Sequence, residues 1–92
     1  MQPYIQVVFP RSERDPSLEA AVHRWVARLE SIIVDAVRVD VLIDRVNRGS
    51  TMVGLTVCGG SEGTRTAATR HKDAYVAVSD AFRALRQQLL CR

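Results

Sequence analysis

The ten residues AVRVDVLIDR, numbers 36–45, decide the fold, because apolar and polar side chains alternate along nearly their whole length. In an extended chain, one side carries four apolar residues: Val37, Val39, Val41 and Ile43. The opposite side carries the charged residues Arg38, Asp40 and Asp44. Leu42 is the exception on that side. A period of two is typical of a strand, and this pattern predicts a strand with one buried face and one solvated face.

A second alternating run follows the first across a turn. The polar turn VNRGS (46–50) separates the first strand from TMVGLTVCGG (51–60). The second run places three apolar residues on one face: Val53, Leu55 and Val57. Two such runs around a short turn predict an antiparallel hairpin. Two more strands are predicted, namely PYIQVVF (3–9), rich in β-branched and aromatic residues, and the weaker candidate TRTAAT (64–69).

Two segments show the three- or four-residue spacing of a helix with one buried face. The first begins at Asp15-Pro16, because Asp is a good N-cap and Pro is favoured at the first helical position. It extends to about Ile33, and its apolar stripe consists of Leu18, Val22, Trp25, Leu29 and Ile32. The second helix lies within HKDAYVAVSDAFRALRQQLL (71–90). It is predicted to begin just after His71 and to end near Cys91. Its stripe, also assigned to the core, consists of Tyr75, Val78, Phe82, Leu85 and Leu89.

These elements follow one another in the order β-α-β-β-β-α. Ninety-two residues are enough for a single core, so we assign residues 1–92 to one domain. Two amphipathic helices and a sheet with one polar face imply a two-layer α+β fold, in which both helices cover the apolar face of a four-stranded sheet. The first β-α-β unit is predicted to be a right-handed crossover between parallel strands.

The composition argues against several classes of protein. Apolar residues make up 47% of the chain and charged residues 25%, as in ordinary globular domains. No apolar run reaches membrane-spanning length and no signal-peptide pattern is present, so we expect a cytoplasmic protein without a membrane partner. The two cysteines, Cys58 and Cys91, lack the spacing of metal ligands and fit a reduced protein.

No set of residues has the pattern of a catalytic site, which needs a nucleophile or an acid–base group with an orienting partner. His23 and His71 are each expected to lie at the surface, and GGSEG (59–63) is not followed by the Lys-Ser/Thr of a phosphate-binding loop. We therefore predict that the protein is not an enzyme and uses no cofactor, no metal and no small-molecule substrate.

The net charge of +3 is distributed unevenly along the chain. Residues 1–44 hold five arginines and seven acidic residues, whereas residues 45–92 hold eight basic and three acidic residues. This asymmetry suggests a polyanionic partner for the C-terminal half. Twelve of the thirteen basic residues are arginine, whose planar guanidinium suits bidentate contacts with phosphate.

Six basic residues are candidates for binding such a partner: Arg24, Arg28, Arg70, Lys72, Arg83 and Arg86. The first two fall on one flank of the stripe of the first helix. Lys72, Arg83 and Arg86 fall on one flank of the second. Arg70 and Lys72 are also expected at the start of the second helix, where free N–H groups make an anion site. A solvated helix face has the same pattern, so spacing alone leaves both interpretations open.

Two segments, LTVCGG (55–60) and AATRHKDAYVAVSDAFRALRQQL (67–89), resemble the signature of a known family. It is the ribosome hibernation-promoting factor family, also called ribosome-associated inhibitors or sigma-54 modulation proteins. Its members carry a helix with the pattern Asp-x-Tyr-x-Ala-Ile-Asp, followed by Lys-Leu and Gln-Leu. The matching positions here are Asp73, Tyr75, Ala77, Val78, Ser79, Leu85, Gln88 and Leu89. The match is most specific over residues 53–90, and the whole chain resembles a short member of the family.

The resemblance implies a fold similar to double-stranded RNA-binding domains. It also implies binding to the ribosomal RNA of the small subunit, in the channel otherwise taken by mRNA and tRNA, so that translation stops by occlusion. The basic residues carried over to this role are Arg24, Arg28, Lys72, Arg83 and Arg86. Contacts with shape and phosphate, rather than with bases, are expected to dominate. A chain ending after the second helix is expected to bind as a monomer and not to pair ribosomes.

Two other hypotheses stay open from the sequence. One is a protein-interaction domain that forms homodimers through the open face or edge of its sheet and does not bind RNA. Outward-facing Val8, Leu42 and Met52 would support it. The other is general binding to double-stranded RNA.

Overall fold

The computed structural model describes residues 3–30, 32, 35–46, 49–59 and 63–90. Six elements follow in the predicted order: β1 (Tyr4–Val8), α1 (Pro16–Arg28), β2 (Arg38–Arg45), β3 (Thr51–Cys58), β4 (Arg65–His71) and α2 (Ala74–Leu90). Parts of the predicted turns (47–48 and 60–62), Ile33 and Cys91 lie outside the described residues. The α+β order predicted from the sequence is confirmed.

The four strands lie side by side in chain order, β1-β2-β3-β4. β1 pairs parallel to β2, because α1 carries the chain back across the sheet, and the other two pairs are antiparallel. One row of the sheet runs from Val8 through Leu42 and Gly54 to Ala68. The parallel first unit and the antiparallel hairpin are both as predicted.

Both helices pack on the same face of the sheet. A single core cluster contains Val39, Val41 and Ile43 of β2 together with the buried residues of the two helices. Thr69 of β4 also faces α2, since its Oγ1 donates to the carbonyl oxygen of Ala77 at 2.7 Å. The opposite face of the sheet, which we call the open face, is not covered by either helix.

Two residues of the segment 36–45 differ from the prediction. Val37 was assigned to the buried side, yet it is 65% exposed, because it lies before β2 and beyond the last buried pair, Val39 and Val57. Asp44 lies on the open face as expected but is only 5% exposed. The loop after β1 covers it, and Arg11 Nη2 donates to Asp44 Oδ2 at 3.0 Å.

Helix boundaries also differ from the prediction. α1 begins at Pro16 after the Asp15 N-cap, as predicted, but it ends at Arg28 with Leu29 as the C-cap rather than near residue 33. α2 begins at Ala74, slightly later than the predicted start just after His71, because β4 continues through Arg70 and His71. Both residues pair with β3, Arg70 with Met52 and His71 with Thr51, and are therefore part of the sheet.

Gly59 closes the end of the sheet in a conformation that only glycine adopts without strain. Its φ is +119°, and a Cβ there would lie 2.7 Å from the Val37 backbone nitrogen. We expect Gly59→Ala to lower the free energy of unfolding by about 2–3 kcal/mol, measured by urea denaturation. Gly63→Ala is the control, because Gly63 also has a positive φ (+72°) but open space around it, and it should lose only about 1 kcal/mol. Equal losses would contradict the steric explanation.

Candidate nucleic-acid interface

The two helices are joined by an aromatic stack in the core. Trp25 of α1 and Phe82 of α2 lie with ring centroids 5.8 Å apart and planes inclined by 5°. Phe82 is fully buried and Trp25 is 9% exposed, so the indole forms the floor of the groove between the helices. An aromatic pair of this kind contributes about 0.5–1.5 kcal/mol beyond the area it buries, so this contact helps to fix how the two helices, and the basic residues on them, lie against each other.

Two arginines from different helices converge on that indole. The guanidinium carbon of Arg28 lies 5.1 Å from the centroid of the Trp25 ring, and that of Arg83 lies 5.9 Å from it. Each contact is an attraction of about 0.5–1 kcal/mol at an exposed site. It offsets part of the repulsion between two cations that the fold brings together.

The remaining basic residues of the helices extend this pair into a surface. Arg24 lies one turn before Arg28 on α1, and Arg86 lies one turn after Arg83 on α2. Lys72 is exposed just before α2. We call Arg24, Arg28, Lys72, Arg83 and Arg86 the helical basic surface.

Acidic side chains do little to neutralise this surface. Asp80 lies 3.8 Å from Arg83, with both side chains well exposed, and such a pair contributes little. Within the described residues, Arg24, Lys72 and Arg86 form no ion pair. The helical basic surface therefore presents five cations that are available to an anionic partner.

Two arginines at the open face, Arg38 and Arg11, are each paired with a carboxylate. Arg38 donates to Asp40 Oδ2 at 2.8 Å and to Gln6 Oε1 at 2.6 Å. The hydrogen bond to Asp40, with its charge, raises the pKa of Arg38 above the ordinary value. Arg11 is paired with Asp44. Since these two cations already have carboxylate partners, they are less available to phosphate than the arginines of the helices.

Arg70 does not join the helical basic surface. It was predicted at the start of the second helix, but it is a residue of β4 that pairs with Met52. Neighbouring strand residues point to opposite faces, and Thr69 points to α2, so Arg70 lies on the open face. Of the six predicted residues, Arg28 and Arg83 meet over Trp25, and Arg24 and Arg86 lie one turn away from them on the same helices. Lys72 lies just before α2, and Arg70 lies on the open face.

The start of α2 does not form the predicted anion site. Asp73 Oδ1 accepts the backbone N–H groups of Tyr75 at 2.9 Å and Val76 at 3.4 Å. This carboxylate therefore takes the place that an external anion would fill. Asp73 acts as the N-cap, so a carboxylate as well as the predicted Lys72 lies at the helix start.

A cleft of about 270 Å³ opens between the two helices, lined by Ala21, Arg24, Trp25, Arg28, Tyr75 and Ser79. Tyr75 was assigned to the core from its spacing, yet it is 47% exposed. Ala74, the residue before Tyr75, packs against the core. The buried side of α2 therefore includes Ala74, Ala77 and Ala81, and Tyr75 lies at its edge. The alanines at 74, 77 and 81 are the feature of the sequence that could have indicated this position of the buried side.

Two other features, a metal site and a membrane-spanning helix, are not found in the part of the chain that the structure describes. No group of three or more His, Cys, Asp and Glu side chains there could hold a metal ion. Among these same residues, no helix has both the length and the apolar character to cross a membrane.

Comparison with known proteins places this fold in a family. The profile described as "Sigma 54 modulation protein / S30EA ribosomal protein" matches residues 5–90. No curated protein gives a significant match to the sequence.

Solved structures share the fold at low sequence identity. A ribosomal subunit interface protein from Coxiella burnetii superposes with a TM-score of 0.85 at 18% identity, covering 95% of this chain and 93% of that one. The N-terminal domain of Protein Y from Thermus thermophilus gives 0.79 at 19% identity, covering 97% and 96%. Because the family profile spans nearly the whole sequence, the chain belongs to the sigma 54 modulation protein and S30EA ribosomal protein family, whose members are ribosome-associated factors rather than known enzymes.

Proposed function

We propose that this chain binds the ribosome through its helical basic surface and contacts the ribosomal RNA of the small subunit. The observation that carries the proposal is the convergence of Arg28 and Arg83 on Trp25. Among the described residues, the carboxylate found near either arginine is Asp80, in an exposed pair with Arg83 at 3.8 Å. Guanidinium groups held at a fixed spacing suit a phosphate backbone, because each forms paired hydrogen bonds with phosphate oxygens. Membership of a ribosome-associated family supports the choice of partner.

The proposed mechanism is occlusion without chemistry. The folded body measures about 38 × 24 × 18 Å, which is thicker than a single RNA strand. A body of this size, docked by its helices in the channel for mRNA and tRNA, would exclude both ligands and hold the ribosome inactive. The bound form would be a monomer, since only one helical basic surface is needed.

Co-sedimentation with purified small subunits over a salt series tests the proposal. If all five cations contact phosphate, the slope of log K against log salt should be about −3.5 to −4.5. Affinity should then fall roughly 100- to 500-fold between 50 and 200 mM salt. Prebound mRNA and tRNA should compete with the protein. Absence of pelleting at low salt, or binding that does not respond to salt, would refute the proposal.

Free duplex RNA serves as a competitor in the same experiment. If the protein reads only the shape and charge of an RNA helix, duplex RNA in excess should displace it from the subunit. Retention of the protein on the subunit would instead support a specific docking site there. The two results separate ribosome binding from general binding to double-stranded RNA.

A second candidate function is homodimerisation through the open face. The row formed by Val8, Leu42, Gly54 and Ala68 is apolar from one edge of the sheet to the other, and Val8 and Leu42 are 39% and 36% exposed. Met52 is half-buried beside this row. Sedimentation equilibrium distinguishes this function: a dimer that persists at high salt, together with no ribosome pelleting, would favour it.

A further inference from the structure

The cleft between α1 and α2 has a chemical character that phosphate binding alone does not explain. Phosphate contacts need cations, and Arg24 and Arg28 supply them along one wall. The other wall holds an aromatic ring, Tyr75, with 47% of its surface in water, and the hydroxyl of Ser79. An exposed flat ring in the same cleft as two arginines is suited to a ligand with both a planar apolar part and an anionic part.

We propose that this cleft takes one unpaired nucleotide of the bound RNA, with its base stacked on Tyr75 and its phosphate held by Arg24 and Arg28. The inference rests on the proposed function and adds a base contact to it. Unpaired bases are commonly recognised by stacking on exposed aromatic side chains, whereas the bases of an RNA duplex are out of reach.

The size and lining of the cleft favour a single nucleotide. Its volume of about 270 Å³ is just below the range of roughly 300–1,000 Å³ typical of ligand pockets. A base pair would be too wide for a groove whose walls are two packed helices. Ala21 leaves room at the α1 wall, and the Ser79 hydroxyl can donate to or accept from a base edge or a ribose hydroxyl.

Stacking and ionic contacts respond differently to salt, and this difference provides the test. A stacked base releases no counterions, so Tyr75→Ala should weaken binding to small subunits about 5- to 150-fold and leave the salt slope unchanged. Tyr75→Phe should bind as the wild type does, because the ring is kept. Arg24→Gln should instead reduce both the affinity and the slope.

A direct probe is a short RNA hairpin with one bulged 2-aminopurine, compared with the same hairpin fully paired. Stacking in the cleft should quench the 2-aminopurine fluorescence with the wild type and with Tyr75→Phe, but not with Tyr75→Ala. If Tyr75→Ala binds small subunits as well as the wild type does, the nucleotide inference is overturned while ribosome binding stands. Equal binding of the bulged and paired hairpins would overturn it as well. Loss of wild-type pelleting would instead count against the proposed function.

Discussion

Replacing Arg28 and Arg83 together by glutamine is expected to lower the affinity for small ribosomal subunits by about 150- to 25,000-fold. Each guanidinium–phosphate contact contributes roughly 1.5–3 kcal/mol, and these two arginines lie over the same indole ring. The slope of log K against log salt should become shallower by about two. Quantitative co-sedimentation at several salt concentrations measures both quantities.

The control for this double variant is Arg70→Glu, which changes the net charge by the same amount. Arg70 is exposed on the open face, so its reversal tests whether net charge or position matters. We expect Arg70→Glu to weaken binding less than tenfold. If the two variants lose affinity equally, the helical basic surface is not the binding site, and a diffuse attraction between the protein and RNA explains the binding.

Replacing Phe82 by alanine is expected to lower the free energy of unfolding by about 3–5 kcal/mol. Phe82 is fully buried and stacks on Trp25, so truncation leaves a cavity between the helices and removes the aromatic pair. Domains of this size have a total stability of roughly 5–15 kcal/mol, so much of it should be lost. Urea denaturation followed by circular dichroism measures the loss.

Leu90→Ala on the same helix is the matched control, because Leu90 is 64% exposed. A surface substitution of this kind should change stability by less than about 0.5 kcal/mol. Phe82→Leu should fall between the two, since it keeps most of the buried volume. A loss below about 1 kcal/mol for Phe82→Ala would show that the Trp25–Phe82 stack does not hold the helices together.

Trp25 is the residue on which both predictions depend. Phe82 packs against Trp25 from inside the core, and Arg28 and Arg83 lie against Trp25 from outside. The indole thus links the stability of the fold to the geometry of the binding surface. A chain that loses the stack loses the fixed spacing of the two arginines as well.

The local patterns of the sequence predicted most of the fold. Alternation in residues 36–45 and 51–60 placed the hairpin, because a period of two allows only one set of side chains to be buried. Asp15-Pro16 marked the start of α1 correctly, since the N-cap is a short-range interaction between a side chain and the next backbone N–H groups. Such features depend on neighbours in the chain and are therefore readable without the structure.

Predictions that depended on distant partners were less accurate. Arg70 and His71 looked like the start of a helix, but pairing with β3 extended β4 through them. Asp44 looked solvated because a strand pattern cannot show that Arg11, 33 residues away, lies over it. Tyr75 had the spacing of a core residue, and only the packing of two helices decides which edge of a stripe is left outside.

By itself the sequence determined the order of the elements, the buried faces of the central strands and the cations of both helices, because these follow from residue spacing along the chain. Tertiary packing brought Arg28 and Arg83 to one indole ring and placed Arg70 on the open face of the sheet. It also decided that Tyr75 lies beside Arg24 and Arg28 in an open cleft. The physical reason is that a site between two helices depends on their relative packing, which the Trp25–Phe82 stack sets across 57 positions of sequence.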